Sequence, residues 1–213
     1  FITVTLLLVS TLFAFNIFLD VWKSGPLPTQ TIISWISSGD LSINWSVKID
    51  SLTAIMLAVV TFISLLIHIY SLGYMSEDKS VARFMSYLSL FTFFMLSLVT
   101  SDNFVQLFFG WEGVGFASYL LIGFWHKKES ANNAAIKAFI TNRIGDFGLM
   151  IAIALIFLTF NTVEFAPVFE AAQHLNATKY NIFGYDFNVI DLTCILLFIG
   201  AMGKSAQIGL HVW

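Results

Sequence analysis

The sequence predicts an all-α polytopic membrane protein with six transmembrane helices, the last of them broken. Three observations carry this. Of the 213 residues, 58% are apolar and only 11% charged, against about 25% charged in an ordinary soluble domain. Mean hydropathy is +0.84. Apolar stretches of about 20 residues, the length that spans a bilayer at 1.5 Å rise per residue, recur along the chain. A water-soluble globule of this size cannot hide so much apolar surface, and disorder is excluded for the same reason. The net charge of −3, without a basic tail, argues against nucleic acid as a partner. The single cysteine, Cys194, provides neither an internal disulfide nor a CxxC pair nor a four-cysteine cluster site. No Walker A or GxGxxG motif is present.

The first span runs from Phe1 to about Val21. It has neither the basic start nor the small-residue cleavage site of a signal peptide, so it reads as a true span whose preceding residues lie upstream of Phe1. Residues 22–50 contain Gly25, Pro26, Pro28 and Gly39, followed by Leu41, Ile43, Trp45, Val47 and Ile49 in strict alternation. That period predicts a short strand at the membrane surface. Asp50 and Ser51 have the form of an N-cap opening the second span, Ser51 to Met75, which lacks Asp, Glu, Lys and Arg. The third span is Phe84 to Thr100. The fourth is Asn103 to Trp125, interrupted only by Glu112. Short polar turns separate spans two to five, as antiparallel neighbours require. The fifth span is about Ala134 to Phe160, with its charges near the start. Residues 161–187 contain Pro167, Gly184 and an amphipathic piece from Val163 to Leu175. The sixth span is about Val189 to Val212, interrupted by Lys204. No internal repeat of 20–50 residues is visible, and residues 1–213 read as a single helical domain.

Lysine and arginine in the loops orient these spans. Lys23, Lys48 and Lys179 lie on the side of loops 22–50, 101–103 and 161–187. Lys79, Arg83, Lys127, Lys128, Lys137 and Arg143 lie on the other, which reads as the cytoplasm or the mitochondrial matrix.

The intramembrane charges are the candidate functional residues. Glu112 lies about 14 Å into its span, near the midplane, where a charge costs about 3 kcal/mol or more. Gly110, Gly113 and Gly115 around it let a neighbouring helix approach. Lys204 lies roughly 22 Å along its span, in a run holding Gly200, Gly203, Ser205, Gln207 and Gly209 that weakens helical continuity. Breaks of this kind survive where they line a cavity or are buried in protein. Burial opposes the lysine's charge and a nearby carboxylate favours it, a balance suited to loading and releasing a proton. The bland alternatives are a packing glutamate and a lysine snorkelling to the interface. Arg143 and Asp146, spaced i, i+3, share a helix face; a structural ion pair and a transport role are both open for them. His68 and His211 have the residue type for haem ligation, but nothing else supports haem and both read as polar packing groups. Asn16, Ser64 and Asn142 are weaker intramembrane polar groups.

The run Trp111-Glu112-Gly113-Val114-Gly115-Phe116-Ala117-Ser118-Tyr119-Leu120-Leu121-Ile122-Gly123-Phe124 resembles the signature of subunit 5 of respiratory complex I, NADH:ubiquinone oxidoreductase, called subunit L in bacteria. Ile67-His68-Ile69-Tyr70, Lys137-Ala138-Phe139, Arg143-Ile144-Gly145-Asp146 and Gly203-Lys204-Ser205-Ala206-Gln207 resemble it too, in order and spacing, from about Asp50 to Trp213. The resemblance implies an antiporter-like, proton-pumping subunit at the far end of the membrane arm. It implies that Glu112 pairs with Lys204 on a broken helix, that Lys204 exchanges protons, and that Arg143 and Asp146 belong to the surrounding charge network. It implies no cofactor in this chain, the flavin, iron–sulfur clusters and quinone site being in other subunits. The expected partners are other membrane-arm subunits, above all the neighbouring antiporter-like subunit, and lipids. Because that family has two inverted repeats, the chain is expected to lack the first helix, the second repeat and the lateral helix.

Two other classes compete. One is the large subunit of a multisubunit cation/proton antiporter, which shares the Glu–Lys pair; the intact Trp111-Glu112-Gly113-Val114-Gly115 favours complex I over it. The other is a purely structural membrane subunit, against which the burial of two opposite charges argues. Richness in Phe and Asn favours the mitochondrial inner membrane over a bacterial plasma membrane.

Overall fold

The computed structural model describes residues 1–39, 41–174, 179–182 and 184–213, without the side chain of Ile182. The helices are α1 (Ile2–Ser24), α2 (Ser51–Tyr74), α3 (Val81–Val99), α4 (Phe104–Ile122), α5 (Glu129–Phe160), α6 (Phe165–Ala172) and α7 (Val189–Lys204). Two antiparallel hairpins accompany them, β1 (Leu27–Ser38) with β2 (Leu41–Ile49) and β3 (Lys179–Ile182) with β4 (Tyr185–Asn188). Each long helix packs on the next, α1 on α2 through to α5 on α7.

Among the described residues five helices, α1 to α5, are long and apolar enough to cross a membrane. The chain is therefore a multi-pass membrane protein, but the expected sixth span is shorter than predicted. Helix α7 stops at Lys204, 16 residues long, or about 24 Å, and residues 205–213 form turns. Helical continuity is thus lost within the Gly/Lys run, as expected, but at Ser205 rather than at Gly200 or Gly203. Those glycines pack closely on α5: a Cβ built on Gly145 would lie 3.1 Å from the Gly203 Cα, and one on Gly200 would lie 2.8 Å from Leu149 Cβ. Their smallness lets two backbones meet, so they join helices rather than interrupt one. The last carbonyls of α7 find partners beyond it, Trp213 Nε1 donating to Gly203 O at 2.9 Å and Gln207 N to Met202 O at 3.1 Å.

The interior follows the same logic. Ala54, Ala58, Ala117, Ala135, Ala138 and Ala152 are buried, as are Thr11, Thr61, Thr92, Thr141 and Thr193. Large apolar side chains such as Phe13, Phe62, Ile140, Phe147 and Phe198 face outward. Where lipid supplies no hydrophobic drive between helices, small residues pack the interfaces and bulky ones meet the acyl chains.

The alternating stretch is β2, as predicted, and its partner is the preceding segment β1. The hairpin is fastened to the helices at one end of the molecule. Gln106 on α4, fully buried, accepts from Ser46 N at 3.1 Å and donates to Ser46 O at 2.8 Å, in place of a third strand. Asn103 caps α4 by accepting from Gln106 N at 2.7 Å, and its amide donates to Asn44 O at 3.0 Å. Lys48 N donates to Thr100 O, and Lys48 Nζ lies 3.9 Å from Asp102. Burial pushes the Asp102 carboxyl up, and the Lys48 ammonium opposes this. Phe104 N donates to Val163 O and Phe165 N to Asp102 O, so loops 22–50 and 101–103 and the start of 161–187 share one end, as expected. The amphipathic piece there is α6; Leu175, at its predicted end, lies outside the described residues.

Candidate functional site

The site lies where α4, α5 and α7 meet. The glycines of α4 bring it together, each facing a different neighbour. A Cβ on Gly110 would sit 2.7 Å from the Leu98 backbone of α3, and one on Gly113 would overlap the Phe94 ring. On Gly115 it would sit 2.5 Å from Lys204 Nζ. The first two set how closely α3 packs. The third leaves room for a charged head group from α7.

Glu112 forms an ion pair with Arg143 Nη1, and the same nitrogen lies 3.9 Å from Asp146 Oδ2. The Arg143 guanidinium also lies over the Phe139 ring, 4.4 Å from its centroid, which holds it between the two carboxylates. Trp111 Nε1 donates to Asp146 Oδ1 at 2.7 Å. The face of the Trp111 ring lies 5.8 Å from Lys204 Nζ. Lys204 shares with Asp146, Asn142, Ser118 and Tyr119 a cavity of about 10 Å³. Asp146 is buried, its side chain 5% exposed, whereas Arg143 is 41% exposed and opens onto a cleft of about 460 Å³ with Phe108, Phe147 and Met150. The four predicted residues thus form one chain of contacts with Trp111, which was not predicted, as a link: Glu112, Arg143, Asp146, Trp111, Lys204.

Direct pairing of Glu112 with Lys204, expected from the resemblance, is replaced by this indirect route. Lys204 Nζ is shielded and has no hydrogen-bond partner among the described residues, and the ion-pair partner of Glu112 there is Arg143. The reason is depth. With α7 continuous through Gly200 and Gly203, Lys204 reaches α4 at Gly115, most of a turn beyond Glu112, while Arg143 approaches from α5. In the sequence Trp111 stands out only as a letter of the motif. The signal that could have found its role is an indole N–H beside an intramembrane carboxylate, since a buried Trp N–H requires an acceptor. Lys137 is exposed on α5. His68 is buried between α2 and α3, with Nδ1 2.8 Å from Ser64 O and Nε2 3.3 Å from Ser89 Oγ. His211 is exposed in the turns after α7.

Residues 101–213, which hold every member of this chain of contacts, match the transmembrane domain described as NADH:quinone oxidoreductase/Mrp antiporter. The chain belongs to this family. Residues 35–85 of this family member also match the N-terminus of complex I chain 5. A Rickettsia felis protein named NADH-quinone oxidoreductase subunit L is 55% identical over 204 residues, 96% of this chain and 31% of its own length. The Rhodobacter capsulatus subunit of the same name is 50% identical over 221 residues, 100% of this chain and 30% of its own. NADH-ubiquinone oxidoreductase chain 5 of Chondrus crispus is 49% identical over 205 residues, 96% and 31% respectively. The chain spans about a third of the length of these relatives. Among solved structures, a chain of an archaeal respiratory complex, the membrane-bound sulfane sulfur reductase, superposes with a TM-score of 0.75 at 20% identity, over 99% of this chain and 40% of that one. A chain of the Mrp complex from a Dietzia species superposes with a TM-score of 0.68 at 21% identity, over 95% and 21%. At such identities these two show the antiporter-like fold alone.

Proposed function

We propose that the chain is part of a proton-translocating membrane-arm subunit of NADH:quinone oxidoreductase, contributing the first of its two inverted repeats, in the mitochondrial inner membrane. Lys204 is the proton-exchanging group. Glu112 acts on it indirectly, by drawing the Arg143 guanidinium toward itself and away from Asp146. Asp146, oriented by Trp111, is then free to favour the ammonium form of Lys204. When Arg143 turns to Asp146, that support is withdrawn and the proton leaves more readily. The flavin, iron–sulfur clusters and quinone belong to partner subunits, and quinone reduction there drives the exchange.

The observation that carries this reading is the position of Arg143, bonded to Glu112 yet 3.9 Å from Asp146, which shares its cavity with Lys204. A shared cation between two carboxylates can couple one charge to another without direct contact. The test is proton translocation and NADH:quinone turnover in native membranes, with complex abundance as control. Glu112→Gln keeps the shape, loses the pull on Arg143, and is expected to lower pumping at normal abundance. Lys204→Ala is expected to be more severe. Normal proton-to-electron ratios in Glu112→Gln, with Lys204→Ala reducing only abundance, would overturn the assignment.

A further inference from the structure

Three shielded side-chain polar atoms lack a hydrogen-bond partner among the described residues: Arg83 Nε, Asn142 Oδ1 and Lys204 Nζ. Two of them belong to residues lining the same small cavity between α4, α5 and α7. One is a donor and the other an acceptor. A buried polar atom left unsatisfied costs about 1–3 kcal/mol, so two complementary ones on residues that line one space point to a polar group between them. The cavity volume of about 10 Å³ is close to the smallest space that holds one water, about 10–15 Å³.

Asp146 is poorly placed to take the role of acceptor alone. Its Oδ1 accepts from Trp111 and its Oδ2 faces Arg143. Asn142 stands one turn before Asp146 on α5 and is neutral, so it can hold a water without competing for the proton. The charged groups acting on Lys204 are Asp146 and Arg143 of α5. From α4 the cavity receives Tyr119, while Glu112 is engaged by Arg143. The one carboxylate of α7, Asp191, lies in its first turn, at the opposite end from Lys204.

We propose that this cavity binds a single water molecule, which accepts a hydrogen bond from Lys204 Nζ and donates one to Asn142 Oδ1, and that Asn142 is the positioning residue for proton exchange at Lys204. The proposal rests on the reading of Lys204 as the exchanging group. The water fixes the direction of the ammonium hydrogens and is the first acceptor the proton meets on leaving. A water-mediated bond is nearly as favourable as a direct one, so it satisfies both atoms without closing the distance between helices.

The experiment uses the assembled complex. A cryo-electron microscopy map that resolves ordered waters is expected to show one within hydrogen-bond distance of both Lys204 Nζ and Asn142 Oδ1. Asn142→Leu, branched alike though bulkier and without an acceptor, is expected to slow proton translocation about five-fold, the loss corresponding to one hydrogen bond of about 1 kcal/mol. Asn142→Ser, which keeps an acceptor and makes room for a second water, is expected to retain more than half of wild-type pumping. An empty cavity in the wild-type map overturns the proposal, as does equal pumping in the Leu and Ser variants at normal abundance. If Asn142→Leu does not assemble, the wild-type map decides. Failure of the underlying reading is separate: it would show as normal pumping in Lys204→Ala.

Discussion

Gly115→Ala adds one methyl group at the point where α4 meets Lys204. Its Cβ would lie 2.5 Å from Nζ, where ordinary contacts begin near 3.4 Å, so the ammonium must move by about 1 Å. Nζ ends a flexible side chain and can swing away without moving a helix, and alanine favours the helix over glycine by about 1 kcal/mol. Folding and assembly are therefore expected to survive. Function is not, because a displacement of about 1 Å at a reacting group can cost on the order of 100-fold. Gly110→Ala is the control within the same motif. Its Cβ would meet the Leu98 backbone at 2.7 Å, and backbone cannot swing aside, so α3 and α4 must part. Overpacking of that kind costs about 1–3 kcal/mol, enough to outweigh the helix-propensity gain. The assay is protons translocated per NADH oxidised in membrane vesicles, with complex abundance from native gels. Gly115→Ala should lower pumping ten-fold or more at normal abundance, and Gly110→Ala should lower abundance while the remaining complex pumps normally. Wild-type pumping in Gly115→Ala, or the same phenotype in both variants, refutes the reasoning.

Two further predictions concern the end of the molecule carrying β1 and β2. Gln106→Leu leaves Ser46 N and O unsatisfied in a buried setting, at about 1–3 kcal/mol each; limited proteolysis should cut within 27–49 faster than in wild type, and an unchanged rate would remove Gln106 as the fastener. Asp50 caps α2 by accepting from Thr53 N at 2.8 Å, and that bond holds its carboxyl below the usual carboxylate range. Because the folded value is lowered, the stabilisation is complete above the usual range and is lost as pH falls through the folded value. Asp50→Ala should therefore destabilise the chain by about 1 kcal/mol at neutral pH and less in acid, while Asp50→Asn keeps the cap and loses its pH dependence; thermal melting of the purified complex at several pH values measures both.

Composition and period were enough to place α1 to α5, because spanning a bilayer demands long apolar runs whatever their neighbours. The alternation from Leu41 to Ile49 likewise marked β2, since a strand's two faces repeat locally. The residue types of the site were legible too: Glu112, Arg143, Asp146 and Lys204 stand out because charge in an apolar run is costly. What the local pattern could not contain was their pairing. The Gly/Lys run read as a helix break, and the helix does end there, but only the packing of α7 on α5 showed Gly200 and Gly203 to be points of close approach. That kept Lys204 a turn too far for Glu112 and left Arg143, from a third helix, as its partner. The contact of Trp111 with Asp146 and the place of Asn142 in the cavity beside Lys204 arise in the same way. Depth along a helix follows from counting residues, but which groups touch depends on how closely and at what height separate helices meet, and that is set by side chains far apart in the chain.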